Sequence, residues 1–234
     1  MNIVNRNGRL LYPLEGRIDL QSIMRQVYTW MVLGMLVTAG VAYLTANTPL
    51  INLATNPIIL IVAIIAEFGL VLVISRGLNR LSAGTATLLF VLYAALNGFT
   101  LSIVLLAFSL GSVFLAFAST AALFGVMSII GYTTKVDLSK MGTYMMMGVI
   151  GLVIAMVINM FVGSSLLDML ISLAGVLIFT ALTAYDTQRI GRMAAEMNMN
   201  GENEVKFGIF GALKLYLDFI NMFLFVLRLT GRRR

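Results

Sequence analysis

The sequence has 234 residues, 60% of them hydrophobic and only 11% charged. That excludes a disordered chain and argues against an ordinary soluble domain, in which ~25% of residues are charged. There is no cysteine and no histidine, so disulfides, thiolate chemistry and cysteine metal sites are excluded and any response to pH falls to carboxylates. The net charge of +6 fits Lys and Arg gathered in cytoplasmic loops rather than nucleic-acid contact.

Residues 1–24 read as a polar cytoplasmic arm with Arg6, Arg9 and Arg17. Gly8, Pro13 and Gly16 oppose a continuous helix there, and no cleavable signal is expected. Repeated apolar runs follow. Each is long enough to cross a bilayer, which takes ~20 residues, and the alternating segments of an outer-membrane barrel are absent. Span one covers roughly 25–46, with Tyr28 and Trp30 near its start. Asn47-Thr48-Pro49 and Asn56-Pro57 punctuate the next link. Span two is roughly 57–75 and carries Glu67 in mid-span. Arg76 and Arg80 sit in a short loop after it. Span three is roughly 82–108. Span four follows a very short turn near Gly111 and ends around Tyr132. Lys135, Asp137 and Lys140 mark a polar loop before span five, roughly 141–162. Span six, roughly 167–188, has Asp168 at its start and Asp186 at its end. A polar loop is expected from Arg189 to Lys206.

Span seven, Phe207 to Arg228, sets the architecture. Lys214, Asp218 and Asn221 lie near its middle, and a charge at bilayer depth costs at least ~2.5–3.5 kcal/mol on insertion scales. Such a helix is stable inside a bundle, not facing lipid all round. The expected fold is therefore all-α and polytopic, with seven transmembrane helices and the last one central. Residues 25–230 form its single domain, and 231–234 are a basic tail. Eleven basic residues fall on the side of the N-terminal arm, and the opposing internal loops have none. The positive-inside rule then places the N-terminus in the cytoplasm. Arg228, Arg232, Arg233 and Arg234 fall outside against that rule, unless span seven re-enters.

Three carboxylates stand out. Asp186 and Asp218 lie on consecutive spans, offset by ~16 Å of helical rise if both spans begin level. Were they to meet, they would not comfortably both ionise and would titrate as a unit. The plainer reading satisfies each separately, with Lys214 pairing Asp218 four residues on and Asp186 resting near Arg189. Glu67 is a proton carrier or a cation ligand. Hard cations such as Ca²⁺ take oxygen ligands, and Asn97, Asn159 and Asn221 offer neutral ones. Arg76 and Arg80 are interfacial, within plausible reach of Asp186. No nucleotide loop, HExxH motif or GxSxG elbow is present. With neither histidine nor cysteine, the chain does not read as an enzyme, and no cofactor is expected.

At Tyr185-Asp186-Thr187 and Leu215-Tyr216-Leu217-Asp218-Phe219-Ile220-Asn221 the chain resembles the Bax inhibitor-like (TMBIM) family, in its bacterial YccA/YbhL branch. Arg228 stands at the matching distance, and GYTTKVDLS after span four matches the family's Thr/Lys-Asp-Leu-Ser loop. The resemblance implies an inner-membrane protein with seven helices around the last. It implies that Asp186 and Asp218 are a proton-sensing pair in a pH-dependent Ca²⁺ leak, with Glu67, Asn97 and Asn221 along the cation path. Asp186, Asp218 and Glu67 are then the candidate Ca²⁺ ligands, and Arg76 or Arg80 the candidate latch. The alternative it implies is a non-channel interaction protein that modulates a membrane-bound ATP-dependent protease, grasped by its N-terminal arm.

Overall fold

The computed structural model describes residues 20–77, 80–196 and 201–232. Arg6, Arg9 and Arg17 of the arm lie outside the described residues. Eight helices follow in order: Leu20–Ala46 (α1), the single turn Ile51–Ala54 (α2), Pro57–Arg76 (α3), Ala83–Ala107 (α4), Leu110–Thr133 (α5), Ser139–Val162 (α6), Ser165–Glu196 (α7) and Glu202–Thr230 (α8). All but α2 are long and apolar enough to cross a membrane, and no strand occurs among the described residues.

The boundaries follow from capping chemistry. The Asn56 side chain accepts from the backbone N–H groups of Ile58 and Ile59, with Pro57 at the first helical position, where its missing N–H is no loss. Ser82 and Ser109 cap α4 and α5 in the same way. The α6 helix stops at Gly163, whose φ of 66° suits a residue without a Cβ.

Helix α8 is the axis of the bundle. In its apolar window 67% of residues are buried, against 33% at most in any other span. It packs against α1, α3, α4, α5 and α7. Tyr216 meets Phe90 and Tyr93 edge to face, and Phe219 meets Phe117 and Phe124 likewise. The outer helices α3 and α6 turn most of their Val, Ile, Leu and Met side chains outward, as a lipid-facing wall requires.

The segment 189–206, expected as a loop, is largely helical. The α7 helix continues to Glu196 and α8 begins at Glu202. At 32 and 29 residues they are about 48 and 43 Å long, beyond the ~30 Å hydrocarbon core. Their polar ends stand clear of one face. There Gln26 donates to Glu204 at 2.9 Å, the Ala83 N–H donates to Glu202 at 2.9 Å, and Gln188 bonds both Val136 O and Leu138 N. The start of α1 and the α3–α4, α5–α6 and α7–α8 connections thus share that face. On the other face the Ser109 N–H donates to Arg232 O, and the Arg232 N–H to Ser112 Oγ. The α8 helix is unbroken and ends beside the α4–α5 turn. It therefore crosses the bundle instead of re-entering, and the start of α1 and the end of α8 lie on opposite faces.

Candidate functional site

Two groups of polar side chains inside the bundle flank α8. One turn separates Lys214 from Asp218, so both face the same way. Tyr216 lies about 160–200° round the helix from them, at 100° per residue. The Lys214–Asp218 side meets α7, and the Tyr216 side meets α1, α3 and α4.

On the α7 side, Lys214 Nζ reaches across to Asp186, 3.1 Å from Oδ1 and 3.4 Å from Oδ2. The level of this contact follows from the helix ends. Asp186 lies ten residues before the end of α7 and Lys214 twelve residues into α8, an offset of about 3 Å of rise. Asp218 lies about 9 Å from the level of Asp186 by the same reckoning. It is 5% exposed, interacts electrostatically with both Asp186 and Lys214, and its Oδ2 has no hydrogen-bond partner among the described residues. The plain i,i+4 pairing of Lys214 with Asp218 is thus replaced by an interhelical one. Arg189 forms no ion pair with Asp186 among the described residues; it donates to the Tyr185 hydroxyl at 3.2 Å and lies over that ring. Among the described residues no ion pair involves Arg76 or Arg80, and the cation on Asp186 is Lys214.

On the opposite side, Glu67 accepts from Thr100 Oγ1 at 2.8 Å and from Asn97 Nδ2 at 3.3 Å. Asn97 Oδ1 accepts from the Tyr216 hydroxyl at 2.9 Å, which lies 2.6 Å from Thr38 Oγ1. Glu67, Asn97 and Asn221 all line one cavity of about 630 Å³ between α3, α4, α6, α7 and α8, with Arg228 also in its wall. The three residues expected along one path thus share a space. Asn159 does other work: its side chain accepts from the Ser164 N–H after the end of α6. Glu67 and the two aspartates do not gather into one metal site, and no cluster of three carboxylates suited to a metal occurs among the described residues.

Over residues 20–234 the sequence matches the family described as "Inhibitor of apoptosis-promoting Bax1". The chain belongs to the Bax inhibitor family. It is 44% identical over 224 residues to "Inner membrane protein YbhL" of Escherichia coli K12, covering 94% of this chain and 96% of that one. A Deinococcus radiodurans protein is 46% identical over 215 residues, 92% of each chain. An "uncharacterized membrane protein" of Streptococcus pyogenes serotype M3 is 40% identical over 230 residues, 97% of this chain and 99% of its own. Membership accounts for a multi-pass bundle.

Sequence reasoning did not single out Thr38, Thr100 or the Tyr216 hydroxyl. Thr100 had a signal, since it stands three residues after Asn97 and so shares its helix face. Thr38 had none, because its partners come from α4 and α8.

Proposed function

We propose that this Bax inhibitor family protein is a pH-sensitive Ca²⁺ (cation) leak of the inner membrane, gated by protonation of the Asp186/Asp218 pair. One observation carries the reading: a single cation, Lys214 in the central helix, bonds buried Asp186 and stands one turn from buried Asp218. Fully ionised, the triad holds one uncompensated negative charge. One added proton makes it neutral. A buried net charge is costly, so the packing of α7 against α8 differs in free energy between the two forms. Lys214, holding Asp186, is the closing latch, and the cavity lined by Glu67, Asn97 and Asn221, across α8 from it, is the cation path.

The magnitudes set what such a gate delivers. A swing from largely closed to largely open needs ~5.5 kcal/mol of differential stabilisation. Each unit of pKa difference between closed and open states supplies ~1.4 kcal/mol. One shared proton therefore gives graded gating. Ca²⁺ is the permeant ion in this reading, and oxygen ligands from Glu67 and the asparagines suit it.

The test is Ca²⁺ flux through purified protein in liposomes across a pH series, with no partner present. Asp218→Asn leaves the Asp186–Lys214 pair neutral at every pH and is expected to hold flux near its acidic-pH value throughout. Asp186→Asn leaves Lys214 free to turn to Asp218 and should also flatten the profile. Full wild-type pH profiles in both variants would rule the gate out. Absence of flux at every pH would leave the interaction protein acting on a membrane-bound ATP-dependent protease as the better reading.

A further inference from the structure

We propose that a cavity between the start of α6 and α7, on the face of the α5–α6 connection, binds a phosphate group, carried by a lipid headgroup or as free phosphate. Its volume is about 290 Å³, and Ser139, Tyr185, Gln188, Arg189, Arg192 and Met193 line it. All but Met193 are polar, and no carboxylate is among them. Tyr185, Gln188, Arg189 and Arg192 recur at i, i+3, i+4 and i+7, which is one face of α7. Asp186 turns instead to Lys214 on α8 and does not line the cavity.

Two guanidinium groups meet there with one counter-charge between them. Arg192 Nη1 donates to Asp137 Oδ1 at 2.6 Å and to Ser139 Oγ at 3.2 Å. Asp137 stands outside the lining, with 64% of its side chain exposed. Arg189 makes no ion pair among the described residues, and its Nη1 donates to the Tyr185 hydroxyl at 3.2 Å. That bond uses the phenol oxygen as acceptor and leaves the phenol proton for a ligand. Each guanidinium has five N–H donors, so both keep donors for the forked contact that arginine makes to oxyanions. A carboxylate is satisfied by one such fork. Two forks and a phenol suit the several oxygens of a phosphate group.

The surroundings hold these groups in place. A Cβ at Gly142 would lie 2.5 Å from the Tyr185 hydroxyl oxygen, so the phenol is inlaid against the backbone of α6. Gln188 bonds both Val136 O and Leu138 N and ties the α5–α6 connection down beside the cavity. The depth also fits. Tyr132 on α5 and Tyr144 on α6 are exposed rings, of the kind that settle at a membrane interface. Ser139 stands five residues before Tyr144, about 7.5 Å of rise nearer the helix end. Basic pockets between helices at that depth hold anionic headgroups. The site does not rest on cation flux, and neither does its test.

The experiment titrates the purified full chain, delipidated in a neutral detergent, with three probes. They are inorganic phosphate, followed by phosphorus magnetic resonance, and phosphatidylglycerol and a diacylglycerol of the same chains, both followed by native mass spectrometry. The expected result is saturable binding of at least one phosphate probe and none of the diacylglycerol. Binding of inorganic phosphate assigns a soluble source, and binding of phosphatidylglycerol alone assigns a headgroup. Arg189→Gln should weaken that binding about tenfold or more, the worth of a charge-assisted contact. Tyr185→Phe keeps the ring against Gly142 and should weaken it about threefold. Arg25→Gln removes the same charge from α1, away from the cavity, and should change binding by no more than about twofold. Should Arg189→Gln fail to fold, judged by helical content and elution, Tyr185→Phe decides. A wild-type chain that binds neither phosphate probe, or binds the diacylglycerol as well as the phosphatidylglycerol, would overturn the proposal. So would affinity unmoved in the folded variants, or weakened equally by Arg25→Gln.

Discussion

Lys214 shows how one side chain decides the chemistry of its neighbours. Its side chain is 28% exposed and that of Asp186 only 8%, so the pair is well shielded though not sealed. Removing one member of a buried pair costs ~3–5 kcal/mol, because the other charge stays behind; the partial exposure of Lys214 puts its removal at the lower end. Lys214→Met is therefore expected to lower the thermal unfolding midpoint in detergent clearly, and the Lys214→Met/Asp186→Asn double variant to recover part of that loss. A double variant as unstable as the lysine variant would mean that the pair is not what holds α7 to α8 here. The sequence disclosed the two aspartates readily, since a carboxylate among apolar residues is costly to bury. It did not disclose the partner of Lys214, because Asp218 stood at the favourable i+4 spacing and the relative level of two helices is not written in either one. Asp137 is the contrasting case, a fully solvated carboxylate in the α5–α6 connection. The Ser139 hydroxyl and N–H, and then Arg192, hold its pKa down at about 2. The folded value is depressed, so the tether it makes to Arg192 is present above the usual carboxylate range and is lost only as pH falls through about 2. Asp137→Asn should thus leave the pH profile of flux unchanged between about pH 5 and 8, and a shifted profile would bring this connection into the gate.

Among the elements, the crossing of α1 and α4 is set by Gly98. A Cβ there would lie 2.5 Å from Thr38 O and 3.1 Å from Thr38 Cα. Both are backbone atoms that cannot rotate away. Gly98→Ala must push the two helices apart, with an expected cost of ~1–3 kcal/mol, and it must stretch the neighbouring Thr38–Tyr216 contact. Gly125, with nothing within 4 Å of its would-be Cβ, is the matched control. Gly125→Ala should be neutral or stabilising by up to ~1 kcal/mol through helix propensity. Equal unfolding midpoints for the two variants would count against the close crossing. Span limits were legible at Asn56-Pro57 and near the Ser82 and Gly163 caps, whereas the turn expected near Gly111 is set by Ser109, with Gly111 already inside α5. They were not legible at the end of α7 and the start of α8, where RIGRMAAE and ENEVK are polar enough to read as loop but consist largely of helix formers. Hydropathy reports where a helix leaves the membrane, not where it ends. That overhang is what brings Asp186 level with Lys214.

At the scale of the molecule, the arrangement of faces turns a count of charges into a test. The described face that holds the start of α1 and the α3–α4, α5–α6 and α7–α8 connections carries Arg25, Arg76, Arg80, Lys135, Lys140, Arg189, Arg192 and Lys206, whereas the internal connections of the other face carry no Lys or Arg. Short basic loops resist translocation, so the first face is expected in the cytoplasm. Arg228 and Arg232 then lie outside, because Arg232 is bonded to the α4–α5 turn. Two charges at the end of the last helix do not outweigh eight distributed over the connections of the earlier ones. The sequence has no cysteine, so single reporters are unambiguous. Thr55→Cys and Arg232→Cys, both at exposed positions on the second face, should react in intact cells with a membrane-impermeant maleimide. Lys135→Cys, exposed on the first face, should react only after permeabilisation. Labelling of Lys135→Cys alone in intact cells would invert the orientation. Labelling of Thr55→Cys without Arg232→Cys, in a folded protein, would mean that α8 does not complete its crossing, and the central helix would lose the two-sided access on which a leak through this bundle depends.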